Sequence, residues 1–218
     1  TIDDFQKMIK DYGTAHPDKK WIQGMGWYYS VFGKNGVPDK KFIDEVVPDR
    51  PVYLAAYDGH SSLVNSKALQ IAGITRKTPD PPNGIIVRNP ATGEPTGFLK
   101  EAAGSLVMKN APQPTREEER NRLTKAIHYA SSLGLTRVIS AGADAERVDL
   151  FDEIRQKGDL TVRLYMARFV TPPISPEVIK ALEENRKKYS DDWIDLAPVK
   201  FLLDGVIEAH TAAMLEPY

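Results

Sequence analysis

One lysine lies inside an apolar run near the end of the chain, where burying its charge would cost free energy. The run is Val199–Leu203, and Pro198 and Asp204 bound it. Such a run is typical of a strand buried on both faces, as in a parallel sheet, and an unpaired buried ammonium is costly. Lys200 therefore either extends to the strand end and pairs with an acid such as Asp204, or points into a site at the carboxyl end of its strand.

A second candidate is the pair Asp58 and His60, which one glycine separates after a strand predicted over residues 51–57. We predict a helix over residues 63–72 directly after the pair, and helix N-terminal amides attract anions. The sequence Asp-Gly-His at residues 58–60 is equally typical of an ordinary turn, and a lone histidine is more often structural. His210, a few residues beyond the apolar run, is a further candidate.

Composition excludes several classes of protein. The chain has 218 residues, of which 41% are hydrophobic and 27% charged, with a net charge of −1. This near-neutral balance favours a soluble globular protein with neither nucleic acid nor a membrane as partner. The absence of cysteine excludes disulfides and thiolate chemistry. Because no apolar run could span a bilayer and no signal peptide is evident, we expect a cytoplasmic protein, and its first residue, Thr1, predicts a piece of a longer chain.

The first half of the chain predicts a mixed set of elements. Helical spacing of apolar residues indicates a helix over residues 2–12, and a strand follows over residues 21–27. Residues 85–88 and 97–99 flank a turn rich in proline and glycine, which predicts a hairpin. A helix is expected after Lys100.

The second half predicts alternating strands and helices. Thr115 and Glu118 form a capping box that opens a long amphipathic helix. The predicted order is a helix at 115–133, a strand at 136–140, a helix at 144–157, a strand at 161–169, a helix at 175–189 and a strand at 199–203. Strands and helices alternating in this way imply βαβ units and a parallel sheet.

Several stretches, taken in order, resemble the amidohydrolase superfamily, in the family 3 branch that includes enzymes like N-substituted formamide deformylase. Each stretch is short, but together they cover almost the whole chain. They are Trp21–Trp27, Asp58–His60, Asn65–Leu69, Ala72–Ile74, Gly93–Gly97, Gly134–Thr136, Val199–Gly205, Thr211–Ala212 and Leu215–Tyr218.

The resemblance implies a (β/α)8 barrel that binds one or two divalent metals, usually zinc, and hydrolyses amide-type C–N bonds of small molecules. A metal in such a site lowers the pKa of its bound water toward ~7 and creates a hydroxide. By the same resemblance, Lys200 matches the fourth-strand lysine, which is a metal ligand and can be carboxylated. His60 would lie on a loop facing the site, so the expected catalytic residues are Lys200, His60, Asp58 and His210.

The fold that follows from the resemblance is α/β, a partial (β/α)8 TIM barrel (about strands 2–4) with an inserted α+β domain. Residues 1–14 would be the N-terminal helix of the barrel, residues 15–112 the inserted domain and residues 113–218 the barrel arc. The open edges of such an arc would expose unpaired strand groups, so we expect a homo-oligomer.

The sequence also departs from the family pattern. Its four histidines, His16, His60, His128 and His210, include no His-x-His pair, and residues 206–210 replace a Gly-Ser-Arg stretch common in relatives. With so few ligands, we expect this chain alone to hold no metal and to be inactive. The alternative is a regulatory or binding module that reuses the fold without catalysis, and the reading frame on either side would distinguish the two.

Overall fold

The computed structural model describes residues 1–33, 37–143, 145–196 and 198–218, and it divides into two compact units. The first unit combines Thr1–Pro112 with Asp204–Tyr218, and the second is Gln113–Leu203. The sequence grouped residues 204–218 with the barrel arc, whereas by compactness they fall with the first unit. The assignment of an inserted domain and a barrel arc stays a prediction.

The first unit contains a five-stranded mixed sheet and short helices. Its helices are α1 Ile2–Ala15, α2 Lys41–Asp44, α3 Ser66–Ala72 and α4 Ser105–Met108, with 3-10 turns at Tyr29–Phe32 and Ala102–Gly104. Its strands are β1 Ile22–Trp27, β2 Val52–Ala56, β3 Ser61–Val64, β4 Gly84–Arg88 and β5 Pro95–Glu101. The strand order is β1-β2-β3-β5-β4, and only the β1–β2 pair is parallel. The predicted strand 21–27 and the predicted hairpin are confirmed.

Apolar side chains cover both faces of this sheet. Successive residues of a strand point to opposite faces, so neighbours in β5 enter different cores. Phe98 packs in a cluster with Phe5 of α1 and Val52 of β2. Leu99, which is fully buried, packs in a second cluster with Leu69 of α3. The ends of β2, β3 and β5 are therefore held by packing on both sides of the sheet.

Two sequence predictions in this unit are wrong. The helix predicted over residues 63–72 does not begin at residue 63, because residues 61–64 form a strand: β2 and β5 pair with them on either side, and all four are buried. The helix instead begins after Asn65, whose side chain accepts from the amide of Ala68 at 3.0 Å. The helix expected after Lys100 is also displaced, because β5 continues through Glu101.

The second unit contains parallel strands joined by helices, which confirms the βαβ prediction. Its helices are α5 Arg116–Ser132, α6 Ala145–Gln156 and α7 Pro176–Tyr189, and its strands are β6 Arg137–Ala143, β7 Arg163–Phe169, β8 Ile194–Asp195 and β9 Val199–Lys200. Strand β7 pairs in parallel with β6, β8 and β9. The mixed α/β class is thus established, while the partial barrel stays a prediction. Asp144, the first residue of one predicted helix, lies outside the described residues.

Caps and apolar burial position the helices of the second unit. The capping box at α5 is present, since Thr115 accepts from the Glu118 amide and the Glu118 carboxylate reaches back to Thr115. One buried cluster joins Ile127 of α5, Ile154 of α6 and Met166 of β7. Among the residues described, no helix combines the length and the apolar character needed to cross a bilayer.

The apolar run that contains Lys200 is not the buried strand that the sequence predicts. Only Val199 and Lys200 are in β9, which pairs with β7 alone. Val199 is 46% exposed and Leu203 93% exposed. The preceding strand, β8, was not predicted. It pairs with the first part of β7, so β9 pairs only with the last part. An apolar run is buried only when neighbours cover it, and here one short pairing leaves most of the run uncovered.

Candidate functional site

The turn between β2 and β3 places Asp58 and His60 on the first unit's sheet. The Asp58 carboxylate accepts from the backbone amide of His60 at 2.9 Å and from the hydroxyl of Tyr29 at 3.1 Å. An aspartate that bonds the amide two residues ahead stabilises a turn. Asp58 therefore stabilises the turn at residues 58–60, which is the structural role that the sequence also allowed for it.

The His60 ring contacts the carboxylate of Glu101, at the end of β5. Its Nδ1 lies 3.0 Å and 3.2 Å from the two carboxylate oxygens. Because an ionised carboxylate only accepts hydrogen bonds, Nδ1 carries the proton in this contact. Nε2 has no hydrogen-bond partner among the described residues. The pair therefore fixes the ring and leaves one nitrogen available to accept or donate a proton.

Glu101 is held in a strained backbone conformation. Its φ is +49°, a region in which a residue other than glycine costs about 1–2 kcal/mol. Its amide donates to the carbonyl of His60 at 2.7 Å, and its carboxylate also accepts from the hydroxyl of Thr211 at 2.6 Å. Strain of this kind persists only where the surroundings fix the residue, and it is frequent at functional sites.

Residues 204–218, called here the C-terminal segment, contact the strand ends of the first unit. The Ala209 carbonyl accepts from Lys100 at 2.6 Å, and Glu208 contacts the Tyr57 hydroxyl at 3.5 Å. The segment folds back on itself at Gly205, whose amide donates to the Thr211 carbonyl at 3.1 Å. A Cβ on Gly205 would lie 2.0 Å from Thr211 Oγ1, so only glycine fits this approach.

A cavity of about 940 Å³ lies beside these contacts in the first unit. Its walls mix aromatic, aliphatic and charged side chains. They are Tyr29, Ser30, Gly33, Val37, Pro38, Val87, Phe98, Lys100, Glu208 and His210. Small-molecule sites are typically concave, mostly apolar and marked by a few polar groups, and this cavity has that composition.

Burial changes the protonation of two groups in the cavity wall. Burial raises the pKa of the Tyr29 hydroxyl to about 12, and the Asp58 carboxylate adds to the increase. Burial lowers the pKa of the Lys100 ammonium, while the adjacent Glu101 carboxylate opposes that change. Both shifts arise because a partly buried group is less well solvated in its charged form.

The sequence-predicted site residues fall in both units. His60 and Asp58 share the β2–β3 turn, and His210 lines the cavity with its ring stacked on Tyr218 at a centroid distance of 4.6 Å. Lys200 ends β9 in the second unit, opposite Phe169 of β7, and is partly buried. Lys200 is thus the last residue of a short parallel strand, and its role as a metal ligand stays a prediction.

Sequence reasoning missed Lys100, Glu101 and Thr211. The one local signal was a Lys-Glu pair directly after the apolar residues of a predicted hairpin strand. The Glu101–Thr211 contact joins residues 110 positions apart, and no local sequence pattern predicts such a contact.

A divalent metal needs several ligating side chains that converge on one point. Within ranges 1–33, 37–143, 145–196 and 198–218, no group of three or more His, Cys, Asp or Glu side chains is arranged to hold a metal ion. A protein site for zinc requires at least three converging ligands. The described side chains therefore do not by themselves fit the metal that the resemblance implies.

Comparisons with known proteins match most or all of this chain. The model of the amidohydrolase family matches residues 1–218. Protein LONG AFTER FAR-RED 3 of Arabidopsis thaliana is 33% identical over 99% of this chain and 38% of its own length. The N-substituted formamide deformylase of Arthrobacter pascens is 29% identical over 75% of this chain and 31% of its own length.

The fold also resembles a solved structure. An uncharacterized metal-dependent hydrolase from Pyrococcus horikoshii aligns with a TM-score of 0.56 and 21% identity, over 100% of this chain and 40% of that one. The chain thus spans less than half the length of each of these proteins. With the match of residues 1–218, these findings confirm the resemblance seen in the sequence. The chain belongs to the amidohydrolase family.

Proposed function

We propose that this chain is part of a metal-dependent hydrolase that acts on amide-type, non-peptide C–N bonds of small molecules. Membership of the amidohydrolase family is the observation that carries the proposal. The name of the Arthrobacter relative, a formamide deformylase, supports an amide-type substrate. The 940 Å³ cavity supports a small-molecule substrate, because its size and mixed lining suit one.

His60 is proposed to exchange a proton during this reaction. Hydrolysis of an amide requires a proton on the leaving nitrogen, and histidine is the side chain best suited to supply it near neutral pH. The Glu101 carboxylate holds the Nδ1 proton, so Nε2 is the atom that would transfer one. Glu101 is accordingly a positioning residue, which acts through His60.

Lys200 is proposed as the residue that faces a divalent metal in the complete protein. Its place at the end of β9, which is parallel to β7, supports this proposal, as does the family. Zinc as the metal, carboxylation of Lys200 and the arc of a (β/α)8 barrel are parts of the same proposal. No reaction step is derived through the metal, because the described residues do not form its site.

The experiment is turnover by the complete protein with N-substituted formamides and N-acyl amines, measured as released amine. Lys200→Ala is expected to abolish both turnover and metal content measured by mass spectrometry. Glu101→Gln is expected to lower kcat by about 10²-fold, typical of a lost acid–base contribution, and to shift its pH profile. Lys109→Ala, an exposed lysine of the first unit, is the control. Full activity of Lys200→Ala would contradict the proposal.

The 218-residue chain alone is proposed to be inactive. Metal-dependent amide hydrolysis by this purified chain would contradict that part of the proposal without contradicting the reaction class.

The second candidate function is a regulatory or binding module without catalysis. The name of the Arabidopsis relative states no chemical reaction, which favours this candidate. It predicts that the complete protein releases no amine from any member of the panel while it remains folded.

Self-association is a further part of the proposal. Strand β6 is one edge of the second unit's sheet, and β8 and β9 lie at the other; exposed edges invite pairing with another copy. Sedimentation velocity over a range of concentrations tests this. A single monomeric species at the highest concentration would contradict it.

A further inference from the structure

Lys100 occupies an unusual position for a cation. It lies in β5, with β3 on one side and β4 on the other, opposite Ser61 and Ile85 in the two registers. The neighbouring strands shield the side chain, which is partly buried. A charged group in such a position is normally paired, because burying an uncompensated charge is costly.

Among the described residues, Lys100 has no ion-pair partner, and the Glu101 carboxylate acts on its charge only from a distance. Its ammonium donates to the neutral Ala209 carbonyl at 2.6 Å and lies 5.5 Å from the centre of the Phe98 ring. None of the carboxylates described forms an ion pair with it within 4 Å. Arg88, a partly buried cation of the neighbouring strand, by contrast pairs with Asp80 at 2.8 Å.

The nearest carboxylate in sequence is engaged elsewhere. Glu101 follows Lys100 directly, but successive strand residues point to opposite faces of a sheet. Its oxygens already accept from His60 and Thr211. An ammonium has three N–H groups, and the described part of the chain accepts a hydrogen bond from one of them. Lys100 therefore retains donors and charge for a bound anion.

The cavity walls around Lys100 suit a flat apolar group. The rings of Phe98 and Tyr29 are 6.3 Å apart, edge to face, and both line the cavity. Val87 and Pro38 add aliphatic surface. Glu208, also in the wall, provides an acceptor for the N–H of an amide. The lining thus offers an anion site, an aromatic surface and an acceptor to one ligand.

We propose that this cavity binds small amides that carry both a carboxylate and an aryl group, with the Lys100 ammonium bonded to the carboxylate. The inference rests on the proposed function, because it names the substrate class for that reaction. Lys100 is a specificity-determining residue in this proposal, and Phe98 with Tyr29 holds the aryl group. A neutral amide of the same shape leaves the ammonium without a counter-ion and binds more weakly.

The test measures binding by calorimetry or ligand-observed NMR, so it needs no turnover. The probes are N-benzoylglycine and its primary amide, which differ only in the carboxylate. With the 218-residue chain, we expect the carboxylate to bind about tenfold more tightly than the amide, the scale of one charge-assisted hydrogen bond. Lys100→Met should remove that preference, and Lys100→Arg should retain most of it.

Lys109→Met is the matched control, because it removes an exposed lysine of the same unit that is not in the cavity wall. It should bind both probes as the unchanged chain does. Equal binding of the two probes by the unchanged chain would overturn the proposal, and so would an unaltered preference in Lys100→Met. If Lys100→Met does not fold, the two-probe comparison on the unchanged chain still decides. Binding without turnover by the complete protein would support this site and contradict the proposed hydrolase.

Discussion

The strands that carry Lys100 and Lys200 look alike in sequence and differ in structure. Each lysine adjoins apolar residues and is followed within a few positions by an acid. Strand β5 has neighbours on both sides and helices on both faces, and its Leu99 is fully buried. Strand β9 has two residues and one neighbour, and Leu203 just after it is 93% exposed. The number of neighbours, rather than the apolar run, decides how far a strand is buried.

The largest expected difference is between two single variants, Leu99→Ala near the end of β5 and Leu203→Ala just after β9. Leu99→Ala should lower the free energy of unfolding of the first unit by about 2–5 kcal/mol, because it opens a cavity in a packed core. Leu203→Ala should change the free energy of unfolding of the second unit, which contains Leu203, by less than about 0.5 kcal/mol, since the side chain is exposed. Urea unfolding followed by circular dichroism measures both. Similar losses for the two variants would break the comparison.

A glycine in each sheet sharpens the same comparison. In β5, Gly97 has a φ of +86°, and a Cβ there would lie 2.2 Å from the Val64 carbonyl oxygen. Gly97→Ala should therefore cost about 2 kcal/mol or more, from strain and from the clash. In β6, a Cβ on Gly142 would meet the Phe169 ring at 3.3 Å, without a positive φ. Gly142→Ala should change the thermal midpoint far less, and the reverse order would contradict this account.

Thr211 tests whether the C-terminal segment depends on the end of β5. Thr211→Val keeps the shape of the side chain but loses the hydroxyl that donates to Glu101 and accepts from the Val206 amide at 3.0 Å. We expect a loss of about 1–3 kcal/mol, as for a partly buried group left unsatisfied. Amide exchange of residues 204–218 should accelerate. Thr161→Val, at an exposed hydroxyl of the second unit, is the control, and acceleration in both would count against the contact.

The smallest expected effect concerns alkaline pH. Tyr29 has a pKa of about 12 in the folded state against 10.0 for the free side chain, mainly because it is buried. A raised folded pKa gives a contribution that is complete below about pH 10 and is lost as the pH rises through about 12. The unfolding free energy of the unchanged chain should therefore fall relative to Tyr29→Phe over that interval. Tyr129→Phe, at a 67% exposed position, is the control. Parallel curves for the unchanged chain and Tyr29→Phe would exclude the effect.

Local signals predicted the elements that local contacts stabilise. The capping box of Thr115 and Glu118 begins α5 where the sequence placed it, because a cap needs residues only three positions apart. The β4–β5 hairpin followed from its turn residues in the same way. Residues 63 and 64 were assigned to a helix because local preference favoured one, and the strands on either side of β3 overrode it.

Motifs and periodicity were enough to predict the family, the mixed α/β class and the alternation of parallel strands with helices in the second unit. These follow from ordered motifs and from periodicity, which are properties of neighbouring residues. The tertiary structure alone decided that His60 meets Glu101, that Thr211 meets the same carboxylate, and that Lys100 donates to the Ala209 carbonyl. Those contacts join residues between 41 and 110 positions apart, and only the packed sheet brings them together. Charge and burial at a site depend on such distant neighbours, so no local pattern could have specified them.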